Sequence, residues 1–324
     1  MKTYIGYHCS LERYTPAEHF ENIKLAASNG FKGIMCSDHF YPWSVRQGAS
    51  IASWPWLGGA MNTVDLPFGV VTSPTERCHP VVIAQYIATL AAMYRDRLWI
   101  ALGSGQLLNE HITNNHWPVK SERNARLKEA IHIIRALLSG ETVTFEGKYF
   151  KVYETKLFTV PSVQPKLIVA ALSNESAYEL AACSDGIITV VKPVEDQKEF
   201  IDAYRQGGGD QKPLYLQAIT SYHEDQEKAE YEAWYNWRHA VLGGKLQSEI
   251  KTPSDFNSAV ENITIEQVKE VIRISSDPRE HLDWLREYSS CGFSKIFIQD
   301  VSDDQSSTIR MYGQLLDKFS AKTK

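Results

Sequence analysis

Long apolar runs are missing from this sequence. No stretch approaches the roughly 18 residues that a bilayer-spanning helix requires, and the opening Met1-Lys2-Thr3-Tyr4-Ile5-Gly6 holds no apolar segment of leader length. Dense basic blocks are missing too. With 34 basic against 39 acidic residues and a formal net charge of -5, the chain offers no electrostatic footprint for nucleic acid or an anionic membrane. The five cysteines (Cys9, Cys36, Cys78, Cys183, Cys291) are odd in number, scattered, and form no Cys-x-x-Cys pair. That argues against a disulfide framework or zinc knuckle and for a reducing, cytoplasmic setting. No Gly-x-Gly-x-x-Gly follows the first apolar run, which speaks against a doubly wound dinucleotide-binding sheet. No His-Glu-x-x-His occurs, and His111 and His116 are spaced so that they do not share a helical face. A metal site is disfavoured.

What is present is an ordinary globular composition, 43% hydrophobic and 23% charged, read as one domain over residues 1–324. Short apolar runs alternate with amphipathic stretches throughout. Strands are expected at Tyr4–Tyr7, Gly33–Cys36, Phe68–Val71, Leu98–Leu102, Leu167–Ala171, Gly186–Val190, Leu214–Ile219 and Lys295–Ile298, separated by helical patterns such as Val81 to Met93 behind Pro80. Nearly every run stops in polar residues, among them His8, Asp38-His39, Thr72-Ser73, Ser104-Gly105-Gln106, Ser173-Asn174 and Gln299-Asp300. Eight strands with polar ends on one rim describe the mouth of a (β/α)8 TIM barrel. Two stretches break its rhythm. Residues 107–165 hold a helix, with Ser121 as its expected N-cap, and an alternating hairpin pattern around Glu146-Gly147. A smaller mixed insertion, about 240–264, falls between the seventh and eighth strands.

Three rim segments carry polar chemistry. Ser37-Asp38-His39-Phe40-Tyr41-Pro42-Trp43 leaves the second strand with an acid, an imidazole able to move a proton near neutral pH, and an indole that can wall a planar ring. A capped turn with packed aromatics would use the same residues. Gly103-Ser104-Gly105-Gln106-Leu107-Leu108-Asn109-Glu110 leaves the fourth strand, its glycines permitting close backbone approach and its amides able to bond a heterocycle's edge. After the fifth strand, Ala171-Leu172-Ser173-Asn174-Glu175-Ser176 sets two hydroxyls around a helix start. The pattern fits a phosphate grip or a routine N-cap. Gly207-Gly208-Gly209 lacks a following Lys-Ser/Thr and reads as a turn at the far end of the barrel. Trp234, Tyr235 and Trp237, with Tyr231, read as packing residues.

Together with Ser73-Pro74-Thr75, the run Pro80 to Gln85, Asn109-Glu110 and Ser276-Asp277-Pro278, these segments resemble the bacterial luciferase-like flavin and deazaflavin oxidoreductases, above all the branch of deazaflavin-dependent glucose-6-phosphate dehydrogenases. The resemblance spans nearly the whole chain. It implies an inserted TIM barrel, a homodimer, and an isoalloxazine-type ring at the mouth, served by a small-molecule substrate and by NAD(P)H or a flavin reductase. Asp38, His39, Trp43 and Gln106 would take the catalytic places, His39 handling the proton and Asp38 orienting it. Asp38, Val70, Val71, Ser104, Gly105, Asn109, Ala171, Ser173 and Ser176 would hold the cofactor, with a non-proline cis peptide near Val70-Val71. Trp43, Thr189 and Lys192 would face the substrate.

This chain also departs from that branch. Gln106 stands where the sugar-phosphate enzymes carry an acidic glutamate, Ser258 and Val271 replace two phosphate-binding cations, and Leu172-Ser173 replaces a Gly-Gly pair. Glucose 6-phosphate is therefore not expected as substrate, because a dianion would lose charge-assisted bonds. The hydroxyls at 173 and 176 favour FMN over the 8-hydroxy-5-deazaflavin coenzyme. The rival readings are a ring-binding barrel without catalysis and a metal-dependent hydrolase using His8, His39, Asp38 and Glu110.

Overall fold

Eight strands pair in parallel and close on themselves: β1 (Tyr4–Cys9), β2 (Ile34–Ser37), β3 (Phe68–Thr72), β4 (Leu98–Leu102), β5 (Lys166–Ala170), β6 (Ile187–Val190), β7 (Leu214–Ser221) and β8 (Lys295–Asp300), with β8 returning to β1. The computed structural model describes residues 3–75, 77–114 and 116–321. All eight expected runs become strands. β1, β7 and β8 continue into the polar residues that mark their ends: the β7–β8 ladder runs on to Thr220 and Asp300, and His8, Thr220, Gln299 and Asp300 are buried.

Strands covered by side chains within and helices without must be apolar on both faces, and so they read as continuous hydrophobic runs. The barrel interior holds Met35, Trp99, Ala101, Ile168, Ile188, Tyr215 and Phe297. Large side chains there sit opposite glycines. A Cβ on Gly69 would come within 2.0 Å of the Trp99 ring, and one on Gly6 within 2.4 Å of Phe297. Towards the mouth the interior turns polar: Gln217 donates to Gln299 at 2.5 Å, and Gln299 donates to Ser10 at 3.0 Å.

The outer helices begin where side chains can satisfy their first amides. Thr15 and Glu18 form a capping box ahead of the helix Pro16–Ser28, and His79 caps Pro80–Met93. The insertion after β4 forms a short helix Leu107–Glu110, a long helix Lys120–Leu138 and an antiparallel hairpin of Val143–Glu146 with Lys151–Thr155. Ser121 is not its cap. The long helix starts two residues earlier than that expectation allows, with Val119 at the N-cap position and no side-chain cap. Between β7 and β8, short helices at Gly243–Gln247, Pro253–Ala259 and Ile265–Lys269 build a second small core around Trp43, Leu108, Trp237 and Phe256. Trp234 packs there and donates to the Ile263 carbonyl at 2.6 Å, whereas Tyr231 and Tyr235 are exposed. Gly208 takes a φ of 101° in the turn Arg205–Gly209 before β7. No peptide bond among the described residues is cis, so the bond expected near Val70-Val71 is trans.

Candidate active site

The rim segments of β1 to β4 converge. β1 runs out through His8 and Ser10 to Glu12, and β2 through Asp38 to His39. Glu12 is buried, and its Oε1 is bonded to His39 Nδ1. Burial alone would raise the Glu12 carboxyl, but the charge and hydrogen bond of His39, with His8 nearby, hold it below its ordinary value. Its other oxygen, Oε2, has no hydrogen-bond partner. The His39 side chain retains 16% exposure, and its ring meets Trp43 edge to face at 5.2 Å.

Asp38 does not orient His39, contrary to expectation. Its carboxylate accepts from Ser53 at 2.9 Å, Thr72 at 2.8 Å and Arg77 at 3.0 Å, while its backbone amide donates to Val71 at 2.8 Å. Successive strand-end residues point opposite ways, so Asp38 turns to β3 and His39 to β1. Arg77 also approaches Glu110 at 3.7 Å, and Glu110 accepts from Thr75. Burial pushes the Glu110 carboxyl up, an effect only partly offset by Arg77 and Thr75. Asn109 ties the loops together, its carbonyl accepting from the backbone amides of Phe40 at 2.7 Å and Tyr41 at 3.2 Å. Gln106 accepts from Asn109 at 3.4 Å and, as an amide, has no proton to give up.

Trp43 is 8% exposed and belongs to the second core, stacked on His239 at 5.4 Å and edge-on to Phe256. Burial pushes the His239 imidazole down to about 3 and that of His8 down to about 4, so both are neutral near pH 7. Little of the indole is therefore left to touch a ligand.

A cleft opens over the ends of β3 and β4, lined by Pro74, Thr75, Gly103, Ser104 and Glu110 on the barrel side and by His116, Trp117, Pro118, Arg123 and Arg126 on the insertion side. His39 is not part of its wall; its chain neighbour Asp38 is linked to the lining residue Glu110 through Arg77. Gly105 takes φ +83°, and a Cβ there would sit 3.2 Å from Glu110, so the rim backbone needs glycine at that point. Of the other expected cofactor contacts, Val71 faces the barrel interior, but Val70 and Ala171 belong to the outer core against the helices. Ser173 caps the helix Asn174–Ala181 by accepting from the Ser176 amide. The Ser176 hydroxyl is buried against Asn124 at 3.2 Å and Ser173 at 3.1 Å. The capping alternative is the one adopted, and Ser176 presents nothing to a phosphate.

Thr189 is buried behind its strand, and Lys192 donates to the Leu172 carbonyl at 2.7 Å. Ser258 and Val271 are exposed. Among the described residues, no group of three or more His, Cys, Asp or Glu side chains is placed to hold a metal. Sequence reasoning missed Glu12, Arg77 and His239. An acid four residues beyond His8 at a strand end was a usable signal for Glu12. Arg77 and His239 stand in loops with no periodic pattern, and nothing local marked them.

A closed parallel barrel, a rim imidazole on a buried carboxylate and a cleft over β3 and β4 define a (β/α)8 barrel with a candidate active site at its mouth. The chain belongs to the luciferase-like monooxygenase family, whose model matches residues 5–295. Similar proteins include the F420-dependent glucose-6-phosphate dehydrogenase of Nakamurella multipartita, 32% identical over 98% of this chain and 96% of that protein. The enzyme of the same name from Microbacterium testaceum is 33% identical over 95% of each. Among solved structures, an F420-dependent secondary alcohol dehydrogenase in complex with an F420-acetone adduct superposes with a TM-score of 0.92 at 26% identity, covering 98% of this chain and 99% of that one. The protein is therefore a luciferase-like oxidoreductase.

Proposed function

We propose that this chain is a deazaflavin-dependent dehydrogenase that interconverts a small uncharged alcohol and its carbonyl compound. The single observation that carries the reading is the His39–Glu12 pair at the barrel rim, its imidazole partly exposed and met edge to face by Trp43. The F420-dependence in the names of the relatives and of the superposed alcohol dehydrogenase supports the deazaflavin and not FMN. The expectation of FMN is corrected on the same grounds. The hydroxyls that favoured it, at Ser173 and Ser176, serve as a helix cap and as a partner of Asn124.

The residues present fit such a ring. Glycine backbone at 103 and 105 allows close approach, Ser104 and Thr75 offer hydroxyls, and the Glu110 Oε1 atom is buried without a hydrogen-bond partner. When bound, the deazaflavin supplies the carbon that accepts or returns hydride. His39 donates Nδ1–H to Glu12, which leaves the Nε2 lone pair free to take the hydroxyl proton of the substrate. Glu12 then balances the imidazolium charge. Trp43 and the second core exclude water from that side of the imidazole.

The absence of cations at 258 and 271, with Lys192 engaged by Leu172, favours an uncharged substrate over a sugar phosphate. The test is to load the purified protein with F420 and follow bleaching of the oxidised coenzyme during incubation with 2-propanol, cyclohexanol and glucose 6-phosphate. Reduction by an alcohol and not by glucose 6-phosphate is the expected result. Reduction by glucose 6-phosphate alone, or no binding of F420, overturns the proposal.

A further inference from the structure

An F420-type coenzyme carries, beyond its ring, a phosphodiester and carboxylates that need cationic partners, and Ser176 is closed to them. The insertion side of the cleft supplies what the serines do not. Arg123 is 5% exposed and lines the cleft, with the Trp117 ring 4.1 Å from its guanidinium carbon. It donates Nη2 to Glu249 at 3.1 Å, yet its Nε and Nη1 have no hydrogen-bond partner. Buried N–H groups left unsatisfied on a charged side chain are costly, and a guanidinium has a fork suited to phosphate oxygens. Lys120, exposed at the first position of the same helix, donates to Ser104 at 2.6 Å, on the opposite wall. That helix starts without a side-chain cap, so its first amides and its dipole also favour an anion. Of the neighbouring carboxylates, Glu249 is 48% exposed and meets one nitrogen of Arg123, Glu110 is turned to Thr75 and Arg77, and Glu179 accepts from Asn124; Glu175 and Glu179 also face Lys120 electrostatically.

We infer, resting on the deazaflavin reading of the site, that Arg123, Lys120 and the uncapped start of the helix Lys120–Leu138 take the phosphodiester-bearing side chain of the cofactor while the ring lies towards His39. The insertion helix then serves as the anion-binding wall that the hydroxyls of Ser173 and Ser176 do not provide.

Equilibrium titration followed by deazaflavin fluorescence tests this with two probes: F420, and its phosphate-free analogue that keeps only the ring and ribityl chain. The wild-type protein should bind F420 about 10- to 100-fold more tightly than the analogue, the worth of one to two charge-assisted bonds. Lys120→Gln and Arg123→Gln should each bring that ratio towards one while leaving affinity for the analogue unchanged. Where the buried Arg123 variant does not fold, the exposed Lys120 variant decides the outcome. Equal wild-type affinity for the two probes, or a ratio unmoved by the substitutions, overturns the inference and leaves ring binding intact. Failure of both probes to bind overturns the deazaflavin reading itself.

Discussion

His39 is hydrogen-bonded through Nδ1 to the buried carboxylate of Glu12, 27 residues earlier, and not to its chain neighbour Asp38. The pairing couples the ends of β1 and β2 and sets which imidazole nitrogen is free. In His39→Ala, turnover should fall by about 10²- to 10⁴-fold, the usual worth of a positioned proton-transfer group. Affinity for the deazaflavin should stay within a few-fold. Glu12→Gln keeps the shape and a hydrogen-bond acceptor but loses the charge, so its defect should fall on kcat, with KM and thermal midpoint close to wild type. Steady-state kinetics with a fluorescence titration separate the two effects, and a loss of cofactor binding equal to the loss of turnover would refute the assignment.

Asp38 should behave as an anchor. Ser53, Thr72 and Arg77 all donate to it, so Asp38→Ala leaves a buried guanidinium and two hydroxyls short of a partner. The expected cost is roughly 3–5 kcal/mol of folding stability, read from denaturant unfolding. A stable Asp38→Ala protein with lost turnover would contradict this role.

Stability should fall as pH is lowered from 7 towards 4. His8 and His281 are pushed by burial from 6.5 to about 4, and His239 to about 3. Below pH 6.5 the unfolded chain therefore takes up protons at these sites that the folded chain refuses, and the equilibrium shifts to the unfolded side. Asp300 acts in the opposite sense. Burial raises it from 3.8 to about 6, so the folded state gains a proton first and offsets one of the three. Two net protons correspond to at most about 3 kcal/mol per pH unit between 6.5 and 4. Glu12, held low, adds to the loss below its unfolded value of 4.5. His239→Phe preserves an aromatic stack on Trp43 and removes one site, so its thermal midpoint should be less pH-sensitive than that of the wild type.

Gly69→Ala should be among the most damaging conservative changes. Its Cβ would lie 2.0 Å from Trp99, a neighbour on the paired strand, and overpacking of this kind costs at least about 1–3 kcal/mol. Trp99→Phe in the same chain should recover part of the loss. Additive effects in a double-mutant cycle would show that the two residues do not share the space.

The strand runs, the polar rim and the hairpin around Glu146-Gly147 were legible in the chain because each is a local pattern of apolar periodicity broken by polar or turn residues. The polar rim cluster at His39 was readable because Asp38, His39 and Trp43 are close in sequence. The partner of His39 was not, since Glu12 reaches it only after β1 and β2 pair and their ends twist towards each other. Adjacency likewise hides that Asp38 pairs with Ser53, Thr72 and Arg77 and not with His39, because alternation along the strand sends neighbours to different faces.

By itself, the sequence determined the barrel, its rim and the imidazole that stands on that rim, since period, length and strand-end polarity are properties of contiguous residues. The tertiary structure alone decided which acid serves that imidazole, that Ser176 is spent on Asn124, and that Arg123 keeps unpartnered N–H groups at a cleft. Hydrogen-bond partners and burial depend on segments far apart in the chain, which meet only when the barrel has closed.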